Sequence, residues 1–311
     1  MKCFLHIGTE KTATTTLQTF FSLNRDMLAR RGFIYTQAAG KINNRSLPVA
    51  AYNLKRRDDF TSRHNILTDK SLEEFQNKVL VKLGQEIKLA GNHKTFIFSS
   101  EHIQSRLTTI EEIERLKKIL HSFGLYDISV ILYLRRPADI ANSLYSTSVK
   151  AGRFSDAPPS PKQGYWNNIC NHKVTLEKFS SVFGDRAIIP RLFDKAEFEN
   201  GSIIDDVIKI VGIPSGHLYQ IPKNQNEGLS FRGLKLLKAV NKVLPKFIAN
   251  RPNPVRALVV NYLVKLFPDD KYKMSDQLYK EYDRQFFQSN EWVRKKYFPH
   301  KDRLFSDETI N

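Results

Sequence analysis

The 311-residue sequence predicts an α/β protein in which a central parallel β-sheet lies between layers of helices. Short apolar runs, each the length of a buried strand, alternate with longer stretches whose apolar residues recur at helical spacing. Strands that alternate with helices form a parallel sheet with helices on both faces. Polar residues follow three of the apolar runs, and ligands bind such sheets at the carboxyl ends of their strands. The pattern therefore predicts a ligand site at that end of the sheet.

The elements are predicted in order from the amino terminus. The first strand covers Cys3–Ile7, and Leu17, Phe20 and Phe21 lie on one face of the helix behind it. A long, irregular and basic excursion is expected over residues 36–70. Capping patterns predict that helices begin at Ser71 and Thr109. The other predicted elements are strands at 32–35, 95–98, 128–134 and 187–189, and helices at 137–150, 166–183 and 202–211.

Residues 1–230 are expected to form the α/β domain, and residues 231–311 a basic helical region packed on it. The formal net charge of the chain is +17, which favours an anionic partner. Apolar residues of the tail make one face of a helix, and we expect this face to pack in the core rather than on a membrane. They are Val255, Leu258, Val259, Tyr262, Leu263 and Leu266.

Only two cysteines occur, Cys3 and Cys170, so the sequence contains neither a disulfide framework nor a metal-ligand spacing. The apolar run at the amino terminus is too short for a signal-peptide core. No apolar stretch approaches the roughly 20 residues that cross a bilayer. We expect a cytoplasmic protein that has at most peripheral membrane contact.

The stretch GTEKTATTT, residues 8–16, joins the first strand to the first helix. A helix that begins there presents unpaired N–H groups and the positive end of its dipole. Hydroxyl groups surround the single ammonium of Lys11, which predicts a cradle for an anion such as phosphate. The hydroxyls belong to Thr12, Thr14, Thr15 and Thr16. Helix capping alone would account for one threonine but not for four, and the signature G-x-x-x-x-G-K-[ST] is absent.

Arg135 ends a later strand, and Ser143 follows it by eight residues, about two turns into the next helix. An arginine fork and a serine hydroxyl can hold one phosphate from two sides. Taken alone, the pair would be read as a surface arginine and a solvent-facing serine. Beside a phosphate loop, it predicts a second anion site.

These two motifs together resemble those of sulfotransferases that use 3′-phosphoadenosine 5′-phosphosulfate (PAPS). The family has a loop of the type K-[TSA]-G-T-T and a strand-terminal arginine followed eight residues later by serine. The resemblance covers about residues 1–230 and is closest to bacterial and carbohydrate sulfotransferases. It implies a P-loop-type three-layer fold, PAPS as the co-substrate and a reaction that requires no metal. Ala13 departs from the family pattern, which usually has glycine there.

The resemblance also implies roles for the predicted site residues. Lys11 and residues 12–16 would bind the 5′-phosphosulfate, and Arg135 with Ser143 would bind the 3′-phosphate. Glu101 would be the catalytic base, with His102 as the second candidate. Helix capping by Glu101 and a surface position for His102 are the ordinary alternatives. A region for adenine contacts is expected within residues 226–233.

The acceptor is expected to be a saccharide or another hydroxyl compound, and the cations favour an anionic one. The basic excursion and Lys150, Arg153, Tyr165 and Trp166 would flank the site, although charged runs are usually solvated surface. Three other functions stay open. They are a phosphate-loop kinase, a nucleic-acid-binding protein, for which no motif is present, and a family member that has lost catalysis.

Overall fold

The computed structural model describes residues 1–91, 94–153, 158–162, 164–215, 219–223, 231–245, 247–248, 251–266 and 272–306. The chain divides into two compact units. The first consists of Met1–Arg135 and His172–Lys223, and the second of Arg136–Asn171 and Asn224–Asn311.

The first unit contains a five-stranded sheet in which every pair of neighbouring strands is parallel. Its strands are β1 (Lys2–Gly8), β2 (Phe33–Tyr35), β3 (Thr95–Ser99), β4 (Asp127–Leu134) and β5 (Ile188–Leu192). Their order is β2-β3-β1-β4-β5, which confirms the predicted α/β fold with a central parallel sheet. Because β3, β1 and β4 are adjacent, the three polar segments that follow them begin side by side.

Most of the remaining described chain is helical. The helices are α1 (Thr14–Leu23), α2 (Arg25–Arg30), α3 (Ser46–Ala50), α4 (Asp59–Arg63), α5 (Asp69–Ala90), α6 (Glu101–Arg106), α7 (Ile110–Ser122), α8 (Pro137–Lys150), α9 (Gly164–Cys170), α10 (His172–Phe183), α11 (Ile203–Val211), α12 (Phe231–Val243), α13 (Pro254–Leu266) and α14 (Asp276–Tyr297).

The sheet of the first unit is buried on both faces. Phe4, Ile131 and Tyr133 of the strands form one core cluster with residues of α1, α2 and α11. Alternate strand residues point to the opposite face, where Leu5 and Phe98 are also fully buried. Helix α10 contacts β4 and β5. Helices thus enclose the sheet and leave the carboxyl ends of its strands as the place for a site.

Some element boundaries differ from the sequence predictions. The helix predicted at 166–183 is two helices, α9 and α10, separated at Asn171. Because both helices bury apolar residues, the apolar pattern runs on across the break. Helix α5 begins at Asp69, and its N-cap is Thr68, with Ser71 as the reciprocal partner. The predicted cap at Thr109 is confirmed, since its side chain accepts a hydrogen bond from the backbone N–H of Glu112.

The excursion over residues 36–70 is more ordered than the sequence predicts. It contains α3 and α4, and residues 49–52 are buried. Arg45, one of the basic residues of this segment, is buried and pairs with Asp58 and the hydroxyl of Tyr52. The prediction of an irregular segment was therefore wrong where α3 and α4 form.

The second unit is mainly helical, with a short hairpin formed by β6 (Phe247–Ile248) and β7 (Arg251–Pro252). Tyr282 and Phe286 of α14 form its core with residues of α8 and α9. The apolar face predicted for α13 does not all enter the core, because Val255, Leu258, Tyr262 and Leu266 are exposed while Leu263 is buried. None of the described helices has the length and apolar character of a membrane-spanning segment.

Candidate active site

The loop that joins β1 to α1 begins at Gly8, whose φ angle is +91°. A β-carbon on Gly8 would lie 2.8 Å from the Cα of Glu101 and 2.9 Å from its Cβ. These short distances leave no room for a side chain at Gly8, and its positive φ independently favours glycine. Gly8 therefore brings the start of the loop against Glu101, the first residue of α6.

The middle of the loop has an unusual backbone for residues with side chains. Lys11 and Ala13 have φ angles of +67° and +54°. Ala13 is left-handed, and the next residue, Thr14, begins α1. A left-handed residue beside a right-handed one turns successive N–H groups toward one side, and such a concavity binds anions. The N-cap position of α1 makes no side-chain hydrogen bond, so the N–H groups of the first helical turn are available to a ligand.

Ala13 stands where the family that the loop resembles usually has glycine. Its positive φ determines how this difference affects the loop. A β-carbon in the left-handed region costs about 1–2 kcal/mol relative to the right-handed region. Glycine would adopt the same conformation without that cost. The loop of this chain therefore holds strain at the residue where the sulfotransferases that it resembles usually have glycine.

The hydroxyl groups of the loop have two different surroundings. Thr9 and Thr12 are fully buried. The Thr12 hydroxyl donates to the carbonyl of Thr9 at 2.7 Å, and the Thr9 hydroxyl donates to the carbonyl of Tyr133 at 2.9 Å. These bonds fix the loop on β4. Thr15 is exposed and Thr16 is partly exposed, so their hydroxyls are more accessible than that of Thr12.

Arg135, at the end of β4, reaches the same loop. Its Nη1 donates to the backbone carbonyl of Lys11 at 2.8 Å, and its guanidinium lies 5.5 Å from the ring centre of Phe193. Nε2 of His172 lies 2.7 Å from the carbonyl of Arg135. Burial lowers the pKa of His172 to about 4, so the ring is neutral at pH 7 and we assign Nε2 as the donor. Two cationic residues predicted to bind one ligand thus meet at one loop.

Ser143, the predicted partner of Arg135, lies in α8 of the second unit and is partly exposed. Its joint action with Arg135 stays a prediction. Arg136 also belongs to the second unit, where its Nε and Nη2 donate to the two carboxylate oxygens of Asp283 at 3.0 and 2.5 Å. Of the region predicted for adenine contacts, residues 226–230 lie outside the described residues, and residues 231–233 begin α12.

Glu101 is positioned by two amide side chains. Its Oε2 accepts from Nε2 of Gln18 at 2.8 Å and from Nδ2 of Asn43 at 3.0 Å. Within the described part of the chain, Oε1 accepts no hydrogen bond, and it lies 3.7 Å from Nε2 of His102. One oxygen therefore orients the carboxylate while the other can take a proton, which is the arrangement that a general base requires.

His102 lies next to this carboxylate. Burial lowers its pKa to about 4, the positive charges of Arg45 and Arg106 lower it further, and the charge of Glu101 opposes them. The imidazole is therefore neutral at pH 7. Glu101 is the better oriented of the two candidate bases because two donors hold it.

Several residues at this site were missed from the sequence. Gln18 of α1 is buried although it is polar. The signal in the sequence that could have identified it was its position next to the apolar Leu17. Asn43 carried no such signal, because its contact joins residues 58 positions apart. Arg106 lies 3.9 Å from the carboxylate of Glu10 in the loop and 3.7 Å from that of Asp58. It thus connects the loop with the 36–70 excursion.

The residues expected to flank an acceptor are only partly suited to that role. Tyr165 is exposed, but Trp166 is buried in the core of the second unit.

In the first unit, a cavity of about 530 Å³ lies between the excursion and the start of α7. Its charged lining residues are Lys55, Arg56, Arg57, Arg115, Glu111 and Glu112. No residue of the β1–α1 loop lines this cavity, so it is a basic depression separate from the loop.

No family model matches the sequence. An uncharacterized protein from Archaeoglobus fulgidus is 26% identical over 210 residues, which are 65% of this chain and 54% of the relative. The chain thus matches about half the length of that relative. A crystal structure of a sulfotransferase from Alicyclobacillus acidocaldarius aligns over 97% of this chain and 96% of its own, with a TM-score of 0.48 and 14% identity. Similarity at these levels assigns no activity to the chain.

Proposed function

We propose that the chain is a sulfotransferase that moves a sulfuryl group from PAPS to a hydroxyl or amine of an acceptor, and that this acceptor is a saccharide or polysaccharide.

 The observation that carries the proposal is the hydrogen bond from Arg135 to the backbone of Lys11, since it joins the two predicted phosphate-binding motifs at one loop.

The loop fits the phosphosulfate end of this donor. A left-handed residue ahead of an uncapped helix directs N–H groups at an anion, and the ammonium of Lys11 adds positive charge to the same loop. In the proposed complex, Lys11 stabilises the charge that develops on the departing phosphate oxygen. Thr14, Thr15 and Thr16 hold the 5′-phosphate by their backbone N–H groups and, where accessible, by their hydroxyls.

The guanidinium of Arg135, with the hydroxyl of Ser143, is proposed to hold the 3′-phosphate. A planar fork suits a phosphate better than a point charge does, because two parallel N–H donors can engage two oxygens. His172 supports this role through its hydrogen bond to the carbonyl of Arg135, which orients the end of β4.

Glu101 is proposed as the base. The bond between sulfur and the phosphate oxygen is replaced by a bond between sulfur and the acceptor oxygen, and the acceptor proton passes to Oε1 of Glu101. The amides of Gln18 and Asn43 keep the carboxylate in place for this transfer. Positioning and charge stabilisation supply most of the rate in related phosphoryl transfer.

We infer that the acceptor is anionic. The net charge of +17 favours a partner of opposite charge. A saccharide that carries carboxylate or sulfate groups meets this requirement and also offers hydroxyls to be modified.

The test is a transfer assay with labelled PAPS and a panel of neutral and anionic saccharides. Replacing Glu101 by glutamine keeps the shape of the side chain and removes the base, so we expect the rate to fall about 10²- to 10⁴-fold. His102→Asn is the matched control and should reduce the rate much less. Labelled product with none of the saccharides would count against the proposed acceptor, and an unchanged rate in Glu101→Gln would count against the assigned base.

Two other outcomes would replace the proposal as a whole. Consumption of ATP that depends on magnesium, without binding of adenosine 3′,5′-bisphosphate, would indicate a kinase. Salt-dependent binding of nucleic acid that is insensitive to Lys11→Ala would indicate a nucleic-acid-binding protein.

A further inference from the structure

One face of α13 is apolar and exposed. The exposed fractions of Val255, Leu258, Tyr262 and Leu266 are 55%, 71%, 64% and 50%. At 3.6 residues per turn these four positions fall within an arc of about 80°. They form a continuous stripe along the helix, which we call the α13 stripe. Large apolar side chains scattered singly on a surface are ordinary, whereas a contiguous stripe marks an interaction site.

Helix α12 presents cations beside apolar groups. Its inner face buries Leu234 and Leu237. Its outer face carries Leu236 and Val243, which are 47% and 78% exposed. Three exposed cations share this outer face, namely Arg232, Lys235 and Lys242.

Both helices are fixed within the second unit. Nδ2 of Asn241 in α12 donates to the carbonyls of Val149 and Arg153, each at 2.8 Å. Arg256 of α13 donates to the carbonyl of Lys150 at 2.7 Å and to Oδ1 of Asn241 at 2.9 Å. These buried bonds determine which faces of α12 and α13 point outward. The exposure of the α13 stripe therefore follows from how the helices pack on α8.

The charge of this part of the chain has one sign. No aspartate or glutamate occurs between Glu227 and Asp269, whereas eight lysines and arginines do. A surface that combines apolar side chains with cations, and that has no acidic residue in the same segment, suits an anionic apolar partner. A bilayer with anionic headgroups has both properties.

We propose that the outer faces of α12 and α13 dock on the surface of a bilayer that contains anionic phospholipids. The α13 stripe enters the boundary between headgroups and acyl chains, and the cations of α12 lie among the headgroups. A second copy of the chain fits less well, because a two-fold interface sets the same patch against itself and would bring like charges together. The proposal is independent of the proposed sulfotransferase activity.

The test is co-sedimentation of the full chain with vesicles of phosphatidylcholine alone or mixed with phosphatidylglycerol. Each lysine or arginine near an anionic surface strengthens binding roughly fivefold. We therefore expect at least roughly tenfold tighter binding to the mixed vesicles, weakened by salt because screening shortens the reach of surface charges.

Two pairs of variants locate the docking face. Leu258→Glu in the α13 stripe should weaken vesicle binding at least roughly tenfold, because a charge replaces an apolar side chain that enters the bilayer in the proposed complex. Leu89→Glu is its control, since Leu89 is 88% exposed on α5 of the first unit. The double variant Lys235→Glu, Lys242→Glu should also lose binding, while Lys82→Glu, Lys88→Glu on α5 should not. Circular dichroism should show all four proteins folded.

Three results would overturn the proposal. They are equal binding of the chain to neutral and anionic vesicles, equal loss of binding in the variants and their controls, and a wild-type dimer in light scattering that Leu258→Glu dissociates. The last result would assign the α13 stripe to a second copy. Affinity for adenosine 3′,5′-bisphosphate should be the same in Leu258→Glu and wild type, which separates this proposal from the one for the active site.

Discussion

Ala13 shows how one residue changes the character of the loop. Its φ of +54° is one that glycine adopts freely, and the β-carbon adds strain at the residue before α1. The sequence identified the departure from the family pattern, but it could not show the sign of φ. The hydrogen bonds of Thr9 and Thr12 fix the loop in which this angle occurs.

Replacing Ala13 by glycine should therefore leave stability unchanged or raise it by up to about 1 kcal/mol, since strain is relieved while the unfolded chain gains freedom. The matched control is Ala239→Gly, at an exposed position in the middle of α12, which should cost about 0.5–1 kcal/mol. Urea unfolding midpoints measure both. Equal destabilisation by the two changes would show that Ala13 is unstrained.

At the scale of elements, strands were the easiest to predict. A buried strand of a parallel sheet is a short apolar run, so the ends of β1, β3 and β4 could be read from the sequence. Helix breaks were harder, because the apolar pattern continues from α9 into α10 although the helices separate at Asn171. The excursion was predicted to be irregular although it contains two short helices, and Arg45 is buried there by contacts with Tyr52 and Asp58, 7 and 13 residues further along the chain, which no helix or strand spacing shows.

The pair between Arg136 and Asp283 connects the start of α8 with α14, and both side chains are buried. Removing one partner of a buried ion pair leaves an uncompensated charge and costs about 3–5 kcal/mol. We expect Asp283→Ala to lower the unfolding midpoint accordingly. Asp276→Ala, at an exposed position in the first turn of the same helix, should cost less than about 1 kcal/mol. Similar losses in both variants would contradict the assigned role of the pair.

At the scale of the whole molecule, three histidines link stability to pH. Burial lowers the pKa values of His6, His102 and His172 to about 4, whereas an unfolded histidine titrates near 6.5. The unfolded chain therefore binds more protons between these two values, and stability falls as the pH decreases from 6.5 toward 4.

Urea unfolding at pH 7 and pH 5 measures this dependence. We expect a lower free energy of unfolding at pH 5, by about 1–2 kcal/mol for each histidine, since one pKa unit corresponds to about 1.4 kcal/mol. His172→Gln should reduce the difference between the two pH values. A free energy that is the same at pH 7 and pH 5 would mean that these histidines are accessible to protons in the folded state.

The central claim for the molecule is that Lys11 and Arg135 bind the two ends of one adenine nucleotide. Fold and loop could be predicted from sequence because they are local patterns, but the contact between these residues could not, as they lie 124 positions apart. Removing a charged hydrogen-bond donor costs about 1.5–3 kcal/mol, which weakens binding about 10- to 100-fold.

The most direct test is calorimetric titration of adenosine 3′,5′-bisphosphate into the wild type, Lys11→Ala, Arg135→Ala and the exposed control Lys82→Ala. We expect binding by the wild type and the control, and at least about tenfold weaker binding by each of the other two. Equal affinity in all four proteins would contradict the claim.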